Sequence, residues 1–400
     1  MLKIAVFRFC IKLRYYKRLT FFNFQQFANL IHTFCCLFTI LMEEASNIHN
    51  NYKDPRGVGV TLRVKDKKLH TRDGNFSFVY RANISQIFED GSEQQPSQLV
   101  ALKQTIVPRV RDFRELHILR CLSVRHPHPN IVKLMYYRRR KYSSDQAYSL
   151  VFEFVPATLA QLRTEYHKNK NVLDIKLCIW QLFAGLDHLR KLHIIHRDIK
   201  PANLLVNSTT GRLTIADFGS AIYLAPYTDR FQGTYAVTRF YRPPEFILGA
   251  ARYNCMSDIW SGGCIFAELY LGEALFQGND AFWQLQLIYT KLGTPSIDDL
   301  KDMHVRECDF IPAVVSQAVY PFRELFLIFE KLKYPADKNP ASLIVKILDL
   351  NPKKRLNGRR LLFDEFFDEL FQPGKKRKGG GLVTDAISLE EQKLVFGTEV

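Results

Sequence analysis

The amino-acid sequence predicts an α+β protein of two lobes, a small strand-rich part followed by a larger, mainly helical one. Three observations carry that expectation. The chain has 400 residues, more than one hydrophobic core comfortably serves. Between about Val58 and Pro156 the apolar residues fall in short runs rich in β-branched and aromatic side chains, with one helical stretch among them. Beyond Pro156 the apolar runs lengthen and take helical spacing. At 47% apolar and 24% charged residues, the composition excludes wholesale disorder. The boundaries this reading sets are an extension over 1–46, lobes over 58–155 and 156–371, and a basic, glycine-rich tail over 372–400.

The extension begins with six basic residues, Lys3, Arg8, Lys12, Arg14, Lys17 and Arg18, before the first acid at Glu43. It continues into "FFNFQQFANLIHTFCCLFTILM", about long enough to cross a bilayer. Asn23, Gln25, Gln26, Asn29 and His32 interrupt that run, each at a cost in hydrocarbon. The positive flank would hold the N-terminus in the cytoplasm and place the following domain outside it. Membrane association through residues 1–41, by spanning or by peripheral anchoring, is therefore the lesser expectation. The other is a dispensable or mistranslated leader, with the start at Met42.

In the first lobe, "FSFVYRAN" and "QLVALKQT" read as antiparallel strands joined by the polar loop "FEDGSEQQPSQ". "VRDFRELHILRCL" follows as a helix with Val110, Phe113, Leu116, Ile118, Leu119 and Leu122 near helical spacing. "NIVKLMYY" and "AYSLVFEFV" return to strands. In the second lobe "LDIKLCIWQLFAGLDHLRKLH", "IWSGGCIFAELYLG" and "PASLIVKILDL" are apolar enough for buried helices. The ligand site expected of such an arrangement is the cleft between the lobes.

The net charge of +16 points to acidic or phosphorylated partners, but it is concentrated in the extension and in "GKKRKGGG" near the C-terminus. No basic stripe interleaved with aromatics stands out, so nucleic acid is not expected as a partner. The "KKRK" run has the composition of a solvated segment or a nuclear-import signal. Eight cysteines are scattered without CxxC or zinc spacing, which fits reduced thiols in the cytoplasm or nucleus.

The residues that carry chemistry stand in one order. "VALK" ends at Lys103, a following helix holds Glu115, "HRDIKPANLL" spans 196–205 and "ADFG" spans 216–219. Each string alone is modest evidence, since an isolated lysine in a strand is usually solvated and an isolated aspartate usually belongs to a turn. Together and in this order they are specific. From about residue 60 to 371 the chain resembles the eukaryotic protein kinases, and the fold implied is the two-lobed kinase fold. The implied cofactors are ATP and magnesium, and the implied reaction moves the γ-phosphate to protein substrates. Such catalysis is positioning and charge neutralisation around a polyanion.

The resemblance implies roles residue by residue. Lys103 would hold the α and β phosphates and Glu115 would pair with it. Asp217 would bind magnesium, Asn203 would hold a second ion, and Lys200 would steady the γ-phosphate. Asp198 would orient the substrate hydroxyl and accept its proton. Lys200, two residues after Asp198, is the serine/threonine form of this loop. Glu245 in "TRFYRPPEF" would pair with Arg355 in "NPKKRL", and Asp258 in "DIWSGGC" would brace the catalytic loop. Val79 and Ala101 would line the adenine, whose hinge would be Glu153, Phe154 and Val155 behind Phe152.

Within the kinases, "FRELHILRCL", "HPNIVKL", "SLVFEFVP", "DFGSA", "LGTP" and "FFDEL" resemble the glycogen synthase kinase 3 group, part of the CMGC kinases. The insertion around 280–335 is the most diverged part and would be the surface for a scaffold protein. That group reads a priming phosphate already on the substrate with three basic residues, which map onto Arg114, Arg197 and Ile222. Two arginines can still clamp a phosphate, but the third position has lost its charge, so dependence on priming should lessen unless a neighbouring Arg or Lys substitutes. Tyr235 sits where the group has an activation-loop phosphotyrosine; paired with Arg239 and Arg242 it would order the substrate groove, and unmodified it would simply pack. A monomer is expected from the family's habit.

One stretch departs from the pattern. In "TRDGNFSFVYRA" the three glycine positions of the phosphate loop are Arg72, Gly74 and Ser77. Glycine serves there because backbone amides must approach phosphates closely. The central glycine is kept, as is Phe76 at the loop tip. A degraded loop should raise the KM for ATP before it abolishes chemistry, so an active enzyme is expected. The competing expectation is a weakly active or inactive pseudokinase that works as a scaffold.

Overall fold

The computed structural model describes residues 50–73, 77–108, 113–141, 145–224, 238–250, 254–305, 322–335, 339–387 and 391–393. The apolar run of the extension, Gly74, Phe76 and Tyr235 lie outside the described residues. Among the described residues no helix is long and apolar enough to cross a membrane. The chain divides into two compact units. One holds the described residues up to Pro108 with Tyr136–Val151, and the other holds 113–135 and the described residues from Phe152 onward.

The first unit is a closed barrel of six strands, β1 (Asn50–Lys53), β2 (Gly59–Asp73), β3 (Ser77–Ile87), β4 (Gln98–Pro108), β5 (Leu134–Lys141) and β6 (Asp145–Glu153), in the order β1-β2-β3-β4-β6-β5. Alternation builds it. Tyr80, Ala82 and Ile84 along β3, and Val100 and Leu102 along β4, are buried at every second position. The expected antiparallel neighbours are β3 and β4, with Val79 opposite Lys103 and Arg81 opposite Ala101. Asn50–Lys53 pairs along β2 and reaches Tyr137 of β5, so the strand-rich unit starts before residue 58.

Helix α1 (Arg114–Val124) forms where the apolar spacing predicts it, with Leu116, Ile118, Leu119 and Leu122 buried. It belongs to the second unit, because it packs against the turn at Phe218–Ser220. The division of the chain therefore differs from a cut at 155.

The second unit continues through β7 (Ala157–Thr158), α2 (Leu159–Lys168), α3 (Val172–Lys191), β8 (Ile194–Ile195), β9 (Leu204–Asn207), β10 (Arg212–Ile215) and β11 (Ile222–Tyr223). Helices α4 (Pro244–Ile247), α5 (Met256–Leu271), α6 (Ala281–Leu292), α7 (Ile297–Asp302), α8 (Arg323–Lys331), α9 (Ala341–Ile347), α10 (Gly358–Leu362) and α11 (Val383–Ala386) follow. The core lies around α3 and α5, which pack on each other and are buried almost along their lengths. Trp180 of α3 is fully buried and gives its indole N–H to the Leu362 carbonyl at 3.0 Å. Strands β10, β9 and β7 form a small sheet in that order, and β8 pairs with β11. Residues 372–387 are no detached tail: Arg377, Val383, Ala386 and Ile387 are buried.

Candidate active site

In the loop after β8 the backbone N–H groups of His196, Arg197 and Asp198 are each held by a side chain. Asp258, in the first turn of α5, accepts the His196 N–H on Oδ2 at 2.7 Å and the Arg197 N–H on Oδ1 at 3.0 Å. Arg197 takes the left-handed conformation at φ 66°, uncommon for a residue with a Cβ, and the carboxylate of Asp258 holds it there. Burial pushes the Asp258 carboxyl above the usual carboxylate range, against the pull of His196, Arg197 and the two N–H donors.

His196 bonds the Ala216 carbonyl through Nε2 at 2.9 Å, so Nε2 carries the hydrogen and Nδ1 accepts the Asp198 N–H at 3.3 Å. Its ring packs edge-on to Phe218, with centroids 4.9 Å apart. One histidine thus ties the loop at 196–203 to the loop at 216–219.

Asp198 is 9% exposed and its carboxylate is held on both oxygens. Lys200 Nζ lies 2.7 Å and Asn203 Nδ2 3.0 Å from Oδ2, and the Thr238 hydroxyl donates to Oδ1 at 3.0 Å. Asn203 Nδ2 also donates to the Asp198 carbonyl at 2.8 Å. With its nitrogen committed, Asn203 has its amide oxygen left to offer a ligand. The Asn203 carbonyl accepts the Ala216 N–H at 2.9 Å, which brings the residue before Asp217 alongside. Asp217 is itself left-handed at φ 63° and caps the following turn, accepting the Gly219 N–H at 3.3 Å. An amide oxygen and a carboxylate are oxygen donors of the kind a hard divalent cation takes.

In the barrel, Val79 and Lys103 face each other across the β3–β4 ladder, and Ala101 stands two residues from Lys103. Residues opposite each other and residues two apart share a face, so Val79, Ala101 and Lys103 line one wall. Lys103 is 6% exposed. Ser77, at the third glycine position, is buried and hydrogen-bonded to the Thr105 hydroxyl at 2.8 Å, so its side chain is accommodated inside the sheet. The ladder closes with Arg72 opposite Phe78 and Asp73 opposite Ser77. In the second unit Glu115 is buried on α1, Glu153 is exposed, and Val155 is half-buried.

Glu245 and Arg355 form a buried pair with two parallel hydrogen bonds. Arg197 Nε donates to the Ser220 carbonyl at 2.6 Å, and Arg114 is exposed at the start of α1. Ile222 does not face solvent. It packs with Ile195 and Cys255, flanked by Leu224 and Met256. Sequence reasoning passed over Thr238, although it opens the quoted "TRFYRPPEF", and over Tyr241, whose hydroxyl donates to the fully buried Glu268 at 2.7 Å. A carboxylate sealed inside an apolar helix, as Glu268 is in α5, was the signal for that partner; Arg163 is its second.

Comparisons with known proteins identify the family. The protein kinase domain model matches residues 76–367. The chain is 34% identical over 310 residues to glycogen synthase kinase 1 of Pyricularia oryzae, covering 76% of this chain and 72% of that protein. It is 35% identical over 279 residues to protein kinase gsk31 of Schizosaccharomyces pombe, covering 68% and 70%. The motif order, the two-lobed α+β fold and these matches together make the chain a member of the eukaryotic protein kinases, of serine/threonine type and related to the glycogen synthase kinases of the CMGC group.

Proposed function

We propose that this kinase is catalytically active, uses ATP with magnesium, and phosphorylates serine or threonine in protein substrates with little need for a priming phosphate. The observation that carries the reading is the Asp198 carboxylate held by Lys200, Asn203 and Thr238. In this arrangement Asp198 orients the substrate hydroxyl and receives its proton. Lys200, bonded to the same carboxylate, presents its positive charge where the transferred group passes. Asn203 and Asp217 would hold magnesium through oxygen, Lys103 would bind the α and β phosphates beside Val79 and Ala101, and Glu115 keeps the role of partner that the resemblance implies for it. The nucleotide supplies the phosphoryl group and the metal neutralises its charge. Glu153 and Val155 offer backbone groups to the adenine. Gly74 and Phe76 complete the phosphate loop in this reading, and Tyr235 remains the site for an ordering phosphate.

The weak dependence on priming follows from Ile222. A hydrocarbon packed on Ile195 and Cys255 contributes neither charge nor donor, and Arg197 spends its Nε on Ser220. Two arginines without a third cation bind phosphate less tightly. Cys121, Cys178, Cys255 and Cys264 are free thiols, which supports a reducing cytoplasmic or nuclear setting.

The test is phosphate transfer from magnesium ATP by the purified full chain to one peptide with and without a phosphate four residues beyond the target, beside Asp217→Asn. Transfer that the substitution abolishes, at similar rates on both peptides, is the expected result. No transfer to either peptide would remove the catalytic reading. A second reading, partner binding, has its own observation: Phe282 and Trp283 at the start of α6 stand exposed, Trp283 by 54%. A biological phenotype that survives Asp198→Asn would favour it.

A further inference from the structure

The basic run "KKRK" at 375–378 is built into the fold. Lys375 pairs with Glu369 at 2.7 Å, and Lys376 and Lys378 are exposed, but Arg377 between them is 5% exposed. Its guanidinium reaches three separate acceptors. Nε donates to Asp174 Oδ1 at 2.7 Å, Nη1 to the Thr209 carbonyl at 3.1 Å and Nη2 to the Ser208 carbonyl at 3.0 Å. Gly211 makes room for it. At φ 77° this residue has a conformation that favours glycine, and a Cβ there would sit 2.6 Å from the Arg377 Cζ. Asp174 is also buried and takes a further hydrogen bond from Asn171.

The backbone around Arg377 is folded as well. Arg377 N–H bonds the Gly381 carbonyl at 2.8 Å, Gly380 N–H returns to the Arg377 carbonyl at 3.0 Å, and Val383 N–H bonds the Lys375 carbonyl at 3.0 Å. Val383, Ala386 and Ile387 then bury their side chains. Anchored apolar residues on one side and a planar fork on the other define a strap.

We propose that residues 375–387 are an intramolecular strap, locked by Arg377, that clamps the turn between β9 and β10 onto the N-terminal end of α3. That turn joins the strand that begins directly after Asn203 to the strand that ends two residues before Asp217. Closing the strap therefore steadies the hairpin between the two residues assigned to the metal, and it withholds the basic run from any receptor that reads an extended peptide. The acceptor set suits a guanidinium and no other cation: three acceptors in three directions match its planar donors, whereas a lysine ammonium ends the side chain as one point.

The strap makes its own experiment, independent of kinase activity. Trypsin cleaves an extended segment, so bonds within 375–378 should be cut only when the strap opens. In limited proteolysis of the full chain, Arg377→Lys keeps a tryptic site and the charge, and Asp174→Asn leaves the run untouched. Both should raise the cleavage rate within 375–378 by about tenfold or more, while Lys378→Gln, at an exposed neighbour, leaves the remaining bonds at the wild-type rate. Wild-type rates in both Arg377→Lys and Asp174→Asn would overturn the proposal. Should those variants unfold altogether, hydrogen exchange on the wild-type chain decides. Protection at the amides of Arg377, Gly380 and Val383 comparable to that of the Gly211 amide, which bonds the Asn207 carbonyl at 2.7 Å, supports the strap. Exchange at the rate of free chain overturns it.

Discussion

Arg355 and Glu245 meet in the protein interior with Nη1 on Oε1 and Nη2 on Oε2, both at 2.7 Å. Arg355 also gives Nε to the Asp349 carbonyl, Nη1 to Met256 and Nη2 to Leu350, and its guanidinium lies 5.0 Å from the centre of the Trp260 ring. Removing the carboxylate leaves a buried, uncompensated cation. Glu245→Ala should cost about 3–5 kcal/mol of stability, read from the urea midpoint of the full chain. Arg355→Lys should be nearly as damaging, since an ammonium cannot make the parallel pair. A loss under about 1 kcal/mol for either would show the pair to be dispensable.

Thr238 holds one oxygen of Asp198 at 3.0 Å. Thr238→Val keeps the shape and removes the donor, so kcat should fall by about tenfold to a hundredfold with little change in the KM for peptide. Thr238→Ser restores the hydroxyl and should recover most of the rate. Equal activity of the valine and serine variants in steady-state assays would sink the assignment.

Ile222 offers a direct route to the priming question. Ile222→Lys places an ammonium at the third position of the proposed phosphate pocket, and its long stem can follow the apolar wall of Ile195 before the charge emerges. The ratio of rates on primed and unprimed peptide should rise by about tenfold, the worth of one charge-assisted hydrogen bond. A ratio that stays put would mean that this position does not govern priming.

His128 and His188 stack with ring centroids 4.8 Å apart. The Asn130 N–H donates to His128 Nδ1 at 3.1 Å, which requires that nitrogen to be unprotonated. Burial, then the charges of His188, Arg212 and Lys191, lower the His128 pKa from 6.5 to about 3, with Asp187 opposing; His188 is lowered too. Because the folded-state value lies below the unfolded one, the unfolded chain takes up the proton first. Stability is therefore full above pH 6.5 and declines as pH falls from there toward 3, by at most about 1.4 kcal/mol per pH unit for each such proton. Urea midpoints between pH 7.5 and 5 should fall less steeply in His128→Asn than in the wild type.

Gly278 is pressed against the start of α6. A Cβ there would lie 2.3 Å from the Gln284 nitrogen and 2.4 Å from its Cα, backbone atoms that cannot step aside. Gln284 accepts the Gly278 N–H and reaches toward the Phe240 carbonyl at 3.4 Å. Gly278→Ala should destabilise the chain by about 3 kcal/mol, seen as a lower thermal midpoint, and should loosen the segment around Phe240. An unshifted midpoint would contradict the clash.

Much of this architecture was legible in the residues. The alternation at Tyr80, Ala82 and Ile84 announces a strand, and the spacing of Leu116, Leu119 and Leu122 announces a helix, because each pattern is local and repeats with the backbone's own period. The helix at 114–124 went to the other unit, since spacing says that a face is apolar but not what covers it. The basic run at 375–378 read as solvated or displayed, because four cations in a row carry no sign that one of them has a carboxylate waiting 203 residues earlier. Thr238 passed unnoticed because an isolated threonine has no pattern at all.

By itself the sequence determined that this chain is a serine/threonine-type protein kinase and in which order its parts follow. Phosphoryl transfer needs particular residue types in a particular order, and strings such as "HRDIKPANLL" and "ADFG" meet that need locally. The tertiary structure alone decided which side chains meet: Asp258 with the backbone of His196, Arg355 with Glu245 across 110 residues, Arg377 with Asp174, and Ile222 with an apolar cluster. The physical reason is burial. A charge taken out of water must find its partner, wherever along the chain that partner lies, and only the folded chain brings the two within hydrogen-bond reach.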